Sequence, residues 1–160
     1  MANTKFSAAV KDFARRTKEN MELVMRHSIE DVLEQAQQSQ QSMARFYKDG
    51  SYGPHFVEQG KIPVDVGFLI NSTASSLNGT GNFDVVKPAD ENDVGSPTEP
   101  TFEMTIAEMK SGMTAQFAWT AVYAKAVNYG HGTYPGAHWV DVNAAKWPAI
   151  VEKNAEKFSV

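Results

Sequence analysis

His131, His138 and Asp141 come nearest in this chain to a reactive constellation. Two imidazoles and a carboxylate so close together have the chemistry to hold a divalent cation. Their intervals match no established ligand pattern, and His131, between Gly130 and Gly132, reads as a turn residue. Glu103 and Glu108 form a carboxylate pair expected on a solvated face. DENDVG, from Asp90 to Gly95, resembles half of a calcium loop but lacks the twelve-residue pattern and its closing glutamate. Phosphate-binding loops, dinucleotide fingerprints, zinc-protease helices and nucleophile elbows are all missing. Serine, histidine and aspartate occur with nothing to order them into a triad. The reading is of a chain with no catalytic residue, no cofactor-binding residue and no metal ligand. The one enzyme alternative is a metal-dependent one through His131 and His138.

The totals point the same way. At 160 residues the chain suffices for a single domain with a sizeable core. No apolar run approaches the roughly 20 residues that span a bilayer, so no membrane role is expected. MANTKFSAAVKDF has no apolar core of a secretion signal. The absence of cysteine excludes disulfides and thiolate chemistry and suits a reducing cytosol. A net charge of −4 differs from the basic balance of a sequence-reading DNA binder.

The elements that must position these residues are read from periodicity. Apolar residues recur every three or four positions from Phe6 through Val10, Phe13, Met21, Val24 and Ile29 to Ala36, which predicts a long helix over about 5–38. At 1.5 Å per residue it spans about 50 Å and outruns a small domain. Its basic side chains, among them Arg15, Arg16 and Arg26, form either a solvated face or a docking surface for an acidic neighbour or DNA phosphates. The amide-rich QAQQSQQ continues this helix or frays from it. An aromatic loop over 42–61 carries Tyr47, Tyr52 and Phe56 among glycines and proline, as a segment pinned to a surface would.

Asp65 is placed to cap a short helical turn through Val66 to Leu69. A small-residue strand follows over Asn71–Asn78. An acidic excursion over 79–100 then carries Asp90, Glu91 and Asp93, with a short strand at Phe83–Val86. Alternation in Thr101–Met109 and in Met113–Thr120 predicts a β-hairpin. Val122 to Tyr129 changes to helical spacing, and Gly130 and Gly132 stop it. The last helical pattern holds Pro148, which either starts a new helix or kinks one. The fold class expected is α+β: a long N-terminal helix and a C-terminal helix packed on a small antiparallel sheet, all in one domain.

Two segments together resemble a known family. PVDVGFLINS, with Pro63, Asp65, Gly67, Leu69 and Ser72, is similar to the Pro-Val-Asp-Thr-Gly-x-Leu-x-x-Ser signature of neck and tail-completion proteins of long-tailed bacteriophages. YAKAVNYGHG, with Tyr123, Tyr129, Gly130 and Gly132, resembles that family's Tyr-Ala-x-x-Val-Glu-Tyr-Gly-Thr stretch. HWVDVNAA looks like its worn Pro-Phe-Leu-x-Pro-Ala. The order and spacing agree. Val66 stands in place of threonine and Asn128 in place of glutamate, and the aromatic and acidic loops are longer than the common pattern.

The resemblance implies a structural virion protein, assembled in the host cytoplasm and sited at the head–tail junction. It implies a homo-oligomeric neck or tail-terminator ring beside head-closure, connector and tail proteins. Genome DNA would pass through without specific binding. Arg15, Arg16, Arg26, Tyr47, Tyr52, Phe56, Asp90, Glu91 and Asp93 are the expected interface residues. The alternative is a cytosolic scaffold or binding module on the same plan.

Overall fold

A computed structural model describes residues 2–41, 57–132 and 134–158. Its elements are α1 (Ala2–Ala36), β1 (Ser39–Gln41), β2 (Ile62–Val64), α2 (Phe68–Asn71), β3 (Thr73–Leu77), α3 (Phe102–Glu108), β4 (Ala115–Trp119), α4 (Ala124–Tyr129), α5 (Trp139–Ala144) and α6 (Trp147–Phe158). The class is α+β, with the two terminal helices and a small antiparallel sheet in place.

α1 runs unbroken because neither proline nor glycine interrupts its 35 residues. Its C-terminal half packs on α6, antiparallel to it. His27 stacks on Phe158 with ring centroids 4.9 Å apart. Asn154 Nδ2 donates to Asp31 at 3.0 Å and to Ser28 Oγ at 3.4 Å. At the other end Lys146 Nζ donates to Gln35 at 3.1 Å. Pro148 sits in the first turn of α6; it starts a new helix there, where its missing N–H costs nothing.

Four local expectations need correction. Thr101–Met109 is not a strand, so no hairpin forms. Phe102, Thr105, Ile106 and Met109 are buried while Met104 is 45% exposed, which is helical spacing. Thr101 caps α3 by accepting the Met104 N–H at 3.3 Å. Seven residues fit either period, and the cap together with Met109 at the eighth position decides it. β4 pairs instead with β3, antiparallel, with Thr73 opposite Trp119 and Leu77 opposite Ala115.

The amide-rich patch does not prolong α1. Residues 39–41 turn into β1 and pair in parallel with β2, Ser39 opposite Ile62. Asp65 does not cap α2, whose N-cap is Gly67 at φ 109° with no side-chain bond. In place of a strand at Phe83–Val86, Val86 alone bridges to Ala121, its N–H donating to the Thr120 carbonyl at 2.9 Å.

The core joins these parts. Ala36, Ile62, Phe68, Leu69, Ala121, Ala124, Ala137 and Trp139 form one buried cluster. A chain of edge-on rings crosses it: Phe117 to Phe102 at 5.2 Å, Phe102 to Trp119 at 5.7 Å, and Trp119 to Trp139 at 6.0 Å. β3 is short-chained because α3 lies close over it. Ser75 Oγ lies 2.8 Å from Thr105 Oγ1 and donates to the Pro100 carbonyl at 2.7 Å.

Candidate functional site

Two of the segments that carry the family resemblance, 63–72 and 123–132, meet at one cleft of about 680 Å³. Fifty residues separate them in the chain. The entry to α2 supplies Pro63, Val64, Asp65, Val66 and Gly67, and α2 itself supplies Phe68, Leu69 and Ile70. The second segment supplies Tyr123, Ala126, Val127, His131 and Gly132, and Tyr134 follows. The excursion adds Pro88, Asp90 and Glu91.

Local geometry explains the gathering. Gly67 in the left-handed region turns the chain sharply into α2, so Phe68 and Leu69 point inward at 5% and 4% exposure. Ser72 closes that turn: its Oγ donates to the Phe68 carbonyl at 2.5 Å, and its own carbonyl accepts the Thr120 N–H at 2.7 Å. β4 then delivers α4 beside α2. Asn71 Nδ2 donates to the Val94 carbonyl at 2.9 Å, and the Thr98 N–H donates to the Thr73 carbonyl at 2.7 Å. These bonds hold the acidic excursion against the body.

The floor is apolar and the rim is acidic. Asp65, Asp90 and Glu91 are exposed, and Val66 is 42% exposed. Burial raises the Tyr123 phenol above its usual range, and the negative charges of Asp65 and Asp93 add to that. Burial raises Tyr134 as well. Both phenols are neutral at physiological pH and act as hydroxyl groups. Among the described residues no cluster of three or more His, Cys, Asp or Glu is placed to hold a metal ion. His138 Nδ1 lies 3.7 Å from Asp141 Oδ2, and Asp141 also accepts from Asn128 at 3.0 Å. This arrangement offers apolar contact and acidic attraction to a cationic neighbour.

The other expected interface residues are scattered. Arg15 is exposed on α1 and donates to Asp12 and Glu19 at 2.8 Å each. Arg16 pairs with Asp12 at 2.8 Å. Arg26 is tied inward, its Nε donating to the Met109 carbonyl at 2.9 Å. Tyr47, Tyr52 and Phe56 lie outside the described residues. Tyr129 stands beside the cleft, 55% exposed, edge-on to His138 at 6.1 Å.

Asp93 turns out to hold its own loop. Oδ2 accepts the Ala89 N–H at 2.7 Å and Oδ1 the Gly95 N–H at 2.9 Å. These two bonds hold its carboxyl below the usual value of 3.8. A depressed folded value means that the stabilisation is complete above the unfolded value and is lost as pH falls through the folded one. On acid titration the Ala89 and Gly95 amide resonances should therefore hold until below that usual value and then shift together. Separate shifts, or a midpoint at the ordinary carboxylate value, would contradict this pair of hydrogen bonds.

Sequence reasoning missed three buried asparagines. Asn128, Asn143 and Asn154 are at most 3% exposed. Asn143 Nδ2 donates to the Gly60 carbonyl at 2.9 Å and to the Trp139 carbonyl at 2.7 Å. Asn128 Oδ1 accepts the Val140 N–H at 3.2 Å. A signal was present. Each stands four positions after a buried apolar residue: Ala124, Trp139 and Ile150.

No family model, curated protein or solved structure matches this chain. Among the described residues no helix is long and apolar enough to cross a membrane.

Proposed function

We propose that this chain is a structural subunit of a tailed bacteriophage's head–tail junction, one member of a neck or tail-completion ring around the DNA channel. The observation that carries this reading is the half-clad α1. Its C-terminal half is packed, while Phe6 and Phe13 stand 71% and 72% exposed in its N-terminal half. Large apolar side chains in a row on a projecting helix belong in a contact with another chain.

The cleft supports the same reading. Two of the three segments that resemble the neck family, 63–72 and 123–132, line a single apolar recess, while the third, 138–145, lies outside it. Its carboxylates stand at the rim in water, where they serve attraction between subunits better than acid–base chemistry. The net charge of −4 suits a ring through which DNA slides without being held. The partners are further copies of the chain, then the head-closure or connector ring on one side and the tail on the other.

Negative-stain microscopy of the purified chain should show closed rings with a central opening. Antibody against it should label the neck of intact particles. A chain that stays monomeric at every concentration and is missing from virions would remove the reading.

A further inference from the structure

Among the described residues two surfaces lack a partner, and they are complementary. One is the N-terminal half of α1. Residues 5–19 are exposed apart from the partly exposed Asp12 and carry Phe6, Val10 and Phe13. At 100° per residue these three fall within about 40° of the line through Val24, Ser28 and Asp31. That is the line α6 covers, with Asn154 bonded to Ser28 and Asp31. α1 thus presents one continuous face, sheathed by α6 in its second half and bare in its first. The other surface is the cleft, with Phe68 and Leu69 in its floor and Asp65, Asp90 and Glu91 on its rim.

Charge separates the two surfaces. The first 19 residues hold five basic side chains against two acidic, while the whole chain is at −4. From Asp65 to Glu108 there are eight acidic side chains and one basic, Lys87. Lys5 and Arg16 lie at about a right angle to the apolar line of α1, where they would face the rim of a groove receiving that line. Two α1 halves laid on each other would set like charge against like.

The bare half of α1 cannot reach the cleft of its own chain. α1 is one uninterrupted helix of 35 residues, and its far end, Ala36, belongs to the cluster that also holds Phe68 and Leu69. Phe13 stands 23 residues from that end, about 35 Å away, and Phe6 about 45 Å.

We infer that the bare half of α1 seats its apolar line in the acid-rimmed cleft of a second copy of this chain. The inference rests on the ring proposed above and specifies its contact. Each subunit gives a helix and receives one, a head-to-tail arrangement that closes when the rotation per subunit divides the circle.

The test uses full-length chains carrying Phe6→Glu with Phe13→Glu, and separately Val66→Arg with Glu91→Lys. All four positions are exposed, so both variants should keep the unfolding midpoint of the native chain. Each alone should be monomeric by light scattering. An equimolar mixture should give a one-to-one dimer and nothing larger, because one intact helix and one intact cleft remain. Rings from either variant alone, or no dimer from the mixture, would overturn the inference while leaving the ring itself standing. A native chain that is monomeric throughout would overturn both. A photo-crosslinker at position 13 of the native assembly should map to residues 64–70 or 123–134 of another copy. Mapping to a second α1, or to a different protein, would overturn the contact.

Discussion

Trp139→Ala should cost this protein about 3–5 kcal/mol, among the largest effects of any single side-chain truncation in the chain. Trp139 is 1% exposed at the first position of α5, where it meets Trp119 edge-on at 6.0 Å and joins the cluster of Ala36, Ile62 and Leu69. It is the point at which the sheet, the end of α1 and the floor beneath the cleft share one side chain. Removing the indole leaves a cavity that short neighbours such as Ala36 and Ala137 cannot fill. For a chain of this size the melting temperature should fall by roughly 10 °C.

A companion substitution separates volume from polarity. Trp139 Nε1 has no hydrogen-bond partner among the described residues. Trp139→Phe therefore sacrifices no bond and relieves a buried donor, so it should cost less than half as much. Urea unfolding followed by circular dichroism reads both. Equal losses for the two variants would mean that the indole nitrogen matters, and a Trp139→Ala loss under about 1 kcal/mol would mean that the cluster is not the core.

How far the residues announced this architecture depends on how long each pattern runs. α1 shows its apolar line over nine turns, so its identity is overdetermined and its projection beyond the body follows from length alone. α4 is short, but Gly130 marks its end. α3 has seven residues, too few to separate a period of two from one of 3.6, and Thr101 reads as a strand residue as easily as a cap. β1 is Ser39–Gln41, with no apolar residue; it is a strand only because Ile62–Val64 lies alongside. The cleft was beyond any local pattern. Its walls come from 63–70, from Pro88, Asp90 and Glu91, and from 123–132 with Tyr134, and the pairing of β3 with β4 brings the first and last together. Resemblance to the neck family singled out many of the same residues without revealing that they share a wall. The buried asparagines hid behind their polarity, because their amides are matched to partners that only the fold brings near: backbone carbonyls for Asn143, the Asp141 carboxylate for Asn128, and the Ser28 and Asp31 side chains for Asn154.

Gly130→Ala, next to the cleft wall, should be strongly damaging, and Gly132→Ala, two residues on, nearly harmless by comparison. Both glycines have positive φ, at 93° and 58°, and both interrupt the chain after α4. Gly130 has φ 93° and ψ 160°, a region that side chains avoid. A Cβ there would also stand 2.5 Å from the Tyr134 carbonyl oxygen and 3.2 Å from the Gly136 nitrogen. That backbone cannot yield freely, since His131 and Tyr134 exchange N–H donations to each other's carbonyls at 3.1 and 2.9 Å. Gly132 lies in the ordinary left-handed region with nothing within 4 Å of an added Cβ. Strain and collision together should cost Gly130→Ala about 3 kcal/mol or more. Gly132→Ala should cost about 1 kcal/mol. Assembly should follow stability unequally. The Gly130 variant displaces His131 and Tyr134 from the cleft wall, so it should fail to form rings even at temperatures where it remains folded. The Gly132 variant should assemble normally. Thermal melts paired with light scattering on the two purified chains decide it. Equal destabilisation would show that the turn relaxes freely, and a Gly130 variant that still forms rings would take this wall out of the contact.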